Sequence, residues 1–246
     1  MNDILFGNNN RPIIKKLSRR YFKASKSRNI IAIVAIILTT VLFTTIFTLG
    51  SGLIDTVQDQ NIRKMGGDGQ AVLNYISDEV FDDVKGNELI DRIAYTKAVS
   101  YHLNNPGLAK WRSDMWYMDD TALEFARYEP TTGHRPEAEN EIIADTKTLE
   151  ALGVPAEIGA TVTLDYEIKG KEYTTDFTLC GFWETDSLSN IGRIIVSKAF
   201  IDNHADLLTY TYPVDNDYSG VVTAYIMFRS GGSVEEKLQQ LLMETG

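Results

Sequence analysis

Residues 30–49 read IIAIVAIILTTVLFTTIFTL, twenty residues without a charge. At ~1.5 Å per residue a helix of this length covers roughly 30 Å, the hydrocarbon thickness of a bilayer. Thirteen of the twenty are Ile, Leu, Val or Phe. At ~0.3–0.6 kcal/mol each near the bilayer centre, they favour insertion by several kcal/mol. A cleaved signal sequence fits less well. Its apolar region runs about 7–15 residues and ends in an A-x-A-like site. This run is longer, and Gly50-Ser51-Gly52 imitates such a site only faintly.

The flanks orient the span. Residues 1–28 hold Arg11, Lys15, Lys16, Arg19, Arg20, Lys23, Lys26 and Arg28 against Asp3 alone, a local +7. The remaining 16 basic and 33 acidic residues give −17. Lys and Arg beside a span stay cytoplasmic, so the amino terminus is expected inside and the acidic bulk outside. Three parts follow: a cytoplasmic basic segment (1–28), a transmembrane helix (29–50) and an extracytoplasmic domain (54–246). Within the first, Ile13, Ile14, Leu17 and Tyr21 recur at helical spacing among Lys and Arg. That pattern predicts an amphipathic helix on anionic lipid, broken at Asn29. The acidic outer domain argues against nucleic acid as a partner, because a phosphate-binding face needs clustered Lys and Arg.

Thr40, Thr44 and Thr48 share one face of the span. A small polar seam is how membrane helices pack on one another. The alternative is that each hydroxyl bonds back to its own helix.

Strands and helices alternate in the outer domain. The strand candidates are 70–76, 98–103, 113–118, 141–144, 193–196 and 221–228, the last apolar on both faces and expected to be central and buried. The clearest stretch is 161–183, where Val162, Leu164, Tyr166 and Ile168 alternate with polar residues, as do Tyr173, Phe177, Leu179 and Trp183. Lys169-Gly170-Lys171 joins the two halves as a hairpin. Helices are expected after the caps Ser77 and Asp145, and from Ser197. A final helix after Ser233 is expected to turn Val234, Leu238, Leu241 and Leu242 to the core.

Candidate chemistry is sparse. His102, His134 and His204 are scattered, with no Cys, Asp or Glu at the local spacing that zinc sites use. His102 reads as a structural strand residue and His134 as part of a polar turn. There is no Gly-rich phosphate loop and no nucleophile elbow. Asp215-Asn216-Asp217-Tyr218-Ser219-Gly220 imitates half of a calcium loop, but the twelfth position is Ile226 instead of Glu. The pairs Asp119-Asp120 and Glu235-Glu236 read as solvated faces, and Trp111 and Trp116 as core filling. Cys180, the single cysteine, rules out an internal disulfide and reads as an inert strand residue. No catalytic residue, metal ligand or cofactor site is therefore expected.

The order of these segments resembles a family. A basic lead-in (KKLSRRYFKASKSRN) precedes one span, and the outer domain holds GHRPEAENEIIADTKTLEALG followed by IGATVTLDYEIKGKEYTTDFTLCGFWETD. This is similar to permeases of the MacB/FtsX-like ABC transporter superfamily. Their outer domain carries a G-R-x-P-x-x-x-x-E-I stretch, a helix ending in L-G, an I-G-x-x-[IV]-x-[LV] strand and a V-G-[IF]-like turn. The matching positions are Gly133, Arg135, Pro136, Glu141, Ile142, Leu152, Gly153, Ile158, Gly159, Val162, Leu164, Gly181 and Phe182. His134 interrupts the pattern between Gly133 and Arg135.

The resemblance implies an α+β fold, with one transmembrane helix followed by an extracytoplasmic domain of the MacB periplasmic-core type. It implies a separate cytoplasmic ATPase that drives movement of the outer domain, for peptides, antibiotics or lipid-linked substrates. It implies no catalytic residue in the permease subunit. It also implies three further spans, which places this chain as the amino-terminal portion of a permease. A single-pass anchored ligand-binding or sensor protein is the alternative. A tethered hydrolase lacks any clustered acid, base or nucleophile.

Overall fold

A computed structural model describes residues 11–65, 68–185, 189–212 and 217–245. The chain falls into two compact units, residues 1–58 and 59–246.

The first unit begins with α1 (Arg11–Ala24), strongly amphipathic and exposed all round. It is followed by α2 (Lys26–Met65). The break between them falls at Ser25, not at the expected Asn29. Asn29 lies inside α2 and reaches back, donating from Nδ2 to the Phe22 carbonyl at 3.3 Å. It therefore satisfies a carbonyl freed at the end of α1 instead of ending a helix itself. Lys26–Leu53 is long and apolar enough to cross a membrane, with a mean hydropathy of 2.7 and none of its apolar window buried. The helix also runs past the expected end at residue 50. Ser51 Oγ donates to the Thr48 carbonyl at 3.1 Å, and no Pro interrupts the sequence up to Met65.

Two threonines of the seam, Thr40 and Thr44, bond back within their own helix. Thr39, Thr40, Thr44 and Thr45 each donate to the carbonyl four residues earlier at 2.7–2.8 Å. Hydroxyls satisfied in this way ask nothing of a neighbouring helix.

The second unit is mixed α/β. Its strands are β1 (Ala71–Ile76), β2 (Ile90–Ser100), β3 (Ser113–Met118), β4 (Thr132–Gly133), β5 (Glu141–Asp145), β6 (Thr161–Ile168), β7 (Lys171–Trp183), β8 (Gly192–Val196) and β9 (Val222–Phe228). Its helices are α3 (Asp78–Lys85), α4 (Asp120–Ala126), α5 (Thr146–Leu152), α6 (Lys198–Asn203) and α7 (Val234–Thr245). The sheet order is β1-β9-β2-β3-β8-β5-β7-β4, with β6 also on β7. The β3–β8 and β5–β7 pairs are parallel and the others antiparallel.

Period-two alternation sends successive side chains to opposite faces. One face gathers Met115, Ile142, Ala144, Leu179, Ile194 and Val196 under α5, α6 and the apolar side of β6. The other gathers Trp116, Met118, Ile143, Cys180 and Ile195 under Leu123 and Phe125 of α4. A third cluster seals β1, β2 and β9 against α3 and α7 through Val84, Ile226, Phe228 and Leu241. The hairpin β6–β7 pairs Val162 with Phe177 and Tyr166 with Tyr173. Its turn residues Lys169 and Gly170 both have positive φ, as a two-residue hairpin of this twist requires. Ser77 and Asp145 cap α3 and α5 as expected, and Ser197 proves to be the cap of α6.

Several expectations are corrected. The strand expected at 98–103 begins at Ile90 and ends at Ser100. β9 is buried on both faces but lies one strand in from the edge, antiparallel to both neighbours. In α7, Leu241 is fully buried and Leu238 partly so, while Val234 and Leu242 are exposed. The two inward residues are one turn-step apart, so the helix presents a narrower apolar stripe than its leucines suggest.

Candidate functional site

The residues weighed for chemistry land in different places. His102 is exposed and outside any strand, which corrects its reading as a strand residue. His204 follows α6, stacks on Phe200 at 4.3 Å, and donates from Nδ1 to the Phe200 carbonyl at 2.8 Å. Asp215 and Asn216 of the calcium-like loop lie outside the described residues. Asp217 Oδ1 accepts the Ser219 N–H, a local turn, and Ile226 is buried in β9. Asp119 is not a solvated face: it caps α4, Oδ1 accepting from Ala122 N at 2.7 Å. Asp120 pairs with Arg135 Nη1 at 2.7 Å. Trp116 is buried, whereas Trp111 is partly exposed under the Lys147 ammonium, 3.7 Å from its ring.

The residues of the family-like stretch mostly hold backbone in place. Arg135 ties the 127–136 loop to Glu129 and to Asp120 of α4. Ile142, Val162 and Leu164 are fully buried. Gly153 closes α5 in the left-handed region. Their roles are architectural.

Two polar centres are built into the sheet. The first is the Asp145 cap. Oδ1 accepts from Thr148 N at 3.0 Å and Thr185 Oγ1 at 2.7 Å. Oδ2 accepts from Thr148 Oγ1 at 2.6 Å and Arg193 N at 2.9 Å. Thr148 Oγ1 in turn accepts from Trp111 Nε1 at 3.1 Å and lies 3.1 Å from Ser113 Oγ. Four donors on one buried carboxylate make a saturated structural knot, its acceptor capacity spent on the α5 cap, two threonine hydroxyls and the Arg193 backbone.

The second is Asp114 with Arg193. Both lie on the α4 face, and Asp114 is almost wholly buried. Its Oδ2 accepts from Arg193 Nη1 at 2.7 Å, and Oδ1 has Arg112 Nε at 3.5 Å. Burial raises the Asp114 pKa above its ordinary value, although Arg193 and Arg112 oppose the shift. Burial works against charge on Arg193 too, yet Tyr128, Asp114 and Tyr101 outweigh it and the pKa rises. Aromatic rings crowd this pair. Tyr101 meets Trp116 at 5.3 Å and Tyr218 at 5.1 Å, and Tyr218 stacks on Tyr75 at 5.5 Å. Tyr75 holds φ +59 at an irregularity in β1, a costly backbone state for a bulky residue. Tyr101, Tyr218, His102, Asn104, Leu108 and Arg112 help line a neighbouring cavity of about 630 Å³.

One grouping was invisible to local spacing. His134 after β4, Glu141 at the start of β5 and Cys180 in β7 bring potential ligand atoms within 4.8 Å of one another. They come from three separate segments, so no short motif announces them, and only the pairing of β4 and β5 with β7 does. Cys180 is buried, and its thiol donates to the Ile142 carbonyl at 3.3 Å and the His134 carbonyl at 3.5 Å. Burial, then the nearby Glu141 carboxylate, pushes the Cys180 thiol up to about 12. A thiol held protonated in this way is a poor nucleophile.

No family model matches the sequence, and no curated protein matches it. Solved structures do. The extracellular domain of the noncanonic ABC-type transporter YknZ from Gram-positive bacteria is similar at 12% identity and TM-score 0.42, over 68% of this chain and 78% of that one. The periplasmic region of MacB from Actinobacillus actinomycetemcomitans is similar at 9% identity and TM-score 0.44, over 70% and 75%. The structural neighbours of this chain are thus extracellular or periplasmic domains of MacB/YknZ-type ABC transporter permeases.

Proposed function

We propose that this chain is the amino-terminal part of an ABC transporter permease. Residues 1–28 lie in the cytoplasm, 29–50 cross the membrane, and 54–246 form the extracytoplasmic domain. A separate cytoplasmic ATPase hydrolyses ATP, and its cycle moves the outer domain to export or release a peptide, antibiotic or lipid-linked substrate. The chain has no catalytic site of its own in this reading. Membrane lipid and further transmembrane helices complete its surroundings.

What carries the reading is the order of parts. A basic amphipathic helix with nothing buried leads into an apolar helix whose surface is entirely uncovered. A mixed-sheet unit then holds the family-like residues, with Ile142, Val162 and Leu164 in its core and Gly153 closing α5. The uncovered apolar span calls for lipid around it. The charge difference across it supports an inside amino terminus.

The cavity beside Tyr101 favours a second reading, a single-pass anchored protein that binds a small ligand outside. One experiment separates the two. The full-length gene product is purified from membranes in mild detergent and its partners are identified by mass spectrometry. Recovery of an ABC ATPase subunit in stable proportion is the expected result. A product that purifies without any ATPase, from membranes where it is fully expressed, sinks the permease reading and leaves the anchored binder.

A further inference from the structure

His134, Glu141 and Cys180 converge where β4, β5 and β7 meet, each offering a different donor: imidazole nitrogen, carboxylate oxygen and sulfur. With all ligand atoms within 4.8 Å of one another, some point lies close to all three. That distance is at most roughly 2.8 Å, against about 2.0–2.3 Å for zinc bonds to N, O and S. Side-chain movements of up to about 0.8 Å therefore close the set.

The surroundings already hold these groups as outer partners hold metal ligands. The His134 ring lies with Nδ1 2.7 Å from the Arg135 carbonyl. A carbonyl only accepts, so the ring proton is on Nδ1 and the lone pair is left on Nε2. Glu141 Oε2 accepts from the backbone of Glu137 at 2.8 Å and Ala138 at 2.9 Å. Its Oε1 makes no hydrogen bond among the described residues. The backbone beneath is equally fixed: His134 N–H donates to the Cys180 carbonyl at 3.0 Å. This close approach depends on two glycines. A Cβ on Gly133 would meet the Cys180 carbonyl oxygen at 2.1 Å, and one on Gly181 would meet the His134 carbonyl oxygen at 2.5 Å.

We propose that His134, Glu141 and Cys180 form a binding site for a borderline-soft divalent cation of the zinc type, with water as fourth ligand. The donor set selects for it: a sulfur ligand disfavours calcium and magnesium, and an N/O/S triad with an open position suits zinc. Binding replaces the thiol proton by the metal and releases that proton to solvent. The ion would staple β4, β5 and β7 together in a unit that has no disulfide. The proposal is independent of the permease reading.

The test uses the full chain in detergent, freed of metal with a chelator. Zinc is titrated against a chromophoric competitor, and cobalt(II) serves as a spectroscopic stand-in. The expected result is one ion per chain and a thiolate-to-cobalt charge-transfer band. Affinity should fall at least tenfold in His134→Ala, Glu141→Gln and Cys180→Ser, and stay unchanged in His102→Ala and His204→Ala. Because His134 is exposed, His134→Ala keeps the test valid even if Cys180→Ser misfolds. Wild-type affinity in His134→Ala, absence of the charge-transfer band, or no stoichiometric zinc binding overturns the proposal.

Discussion

Asp114 and Arg193 stand directly opposite each other on the parallel strands β3 and β8, and the guanidinium donates across the pair at 2.7 Å. A buried pair of this kind contributes little net stability, yet removing one partner strands the other's charge. Arg193→Leu should therefore destabilise the outer unit by about 3–5 kcal/mol. Asp114→Asn combined with Arg193→Leu should recover a large part of that loss. Urea unfolding of the full chain, followed by tryptophan fluorescence, measures both. If the double variant is no more stable than Arg193→Leu, the stranded-charge account is wrong.

Gly192 precedes Arg193, and its Cα faces the Asp145 knot. An added Cβ would lie 2.0 Å from Thr148 Oγ1, 2.3 Å from Ser113 Oγ and 2.7 Å from Trp111 Nε1. Gly192→Ala should cost about 3 kcal/mol by forcing that network apart. Gly86→Ala, where nothing lies within 4 Å and φ is −91°, is the matched control. It should change stability by less than about 0.5 kcal/mol in the same unfolding experiment.

Alkaline stability should follow the buried phenols. Burial is the leading cause that raises the pKa of Tyr95, Tyr101, Tyr117, Tyr166 and Tyr225 above the ordinary 10.0. Tyr117 and Tyr225 reach about 12. A raised folded-state pKa means that the folded form holds the proton more tightly. Its stabilisation is complete below pH 10 and is lost as pH climbs through the folded value. Stability should fall progressively from about pH 10 to 12. Tyrosinate absorbance should show a late group of phenols in the folded chain that merges with the rest in urea.

Orientation has its own test. Glu172 is exposed at the β6–β7 hairpin, so a cysteine there, in a Cys180→Ala background, is reachable by reagent. An impermeant maleimide should label it on intact cells. Labelling only after lysis would put the outer unit in the cytoplasm and reverse the charge-based assignment.

What sequence could show depended on how local the cause was. The hairpin was legible because Val162, Leu164 and Tyr166 alternate, and because Lys169-Gly170 suits a two-residue turn. The caps Ser77 and Asp145 were legible because a cap acts on the next three residues. The part of β2 before Ala98 was not, since Asp91, Arg92 and Lys97 blur its pattern. Lys97 is tolerated in the interior only because its ammonium reaches Asp78 of α3 at 2.7 Å. Asp119 looked like half of an acidic pair until Ala122 N–H was found on it. His134, Glu141 and Cys180 needed the whole β4–β7–β5 pairing before they became neighbours at all.

The sheet order has a consequence for how the unit is made. β9 lies between β1 and β2, pairing with Ala71–Ile76 on one side and Ile90–Lys97 on the other. A ribosome extrudes β1 and β2 long before Val222–Phe228 exists, so both carry an unsatisfied edge through most of synthesis. Exposed strand edges of apolar sequence are sites of faulty pairing between chains. Completion of this corner is therefore a late, long-range event, slow by topology and open to holdase chaperones. A chain halted before Val222 should leave β1 without a strand partner and β2 paired on its β3 side alone.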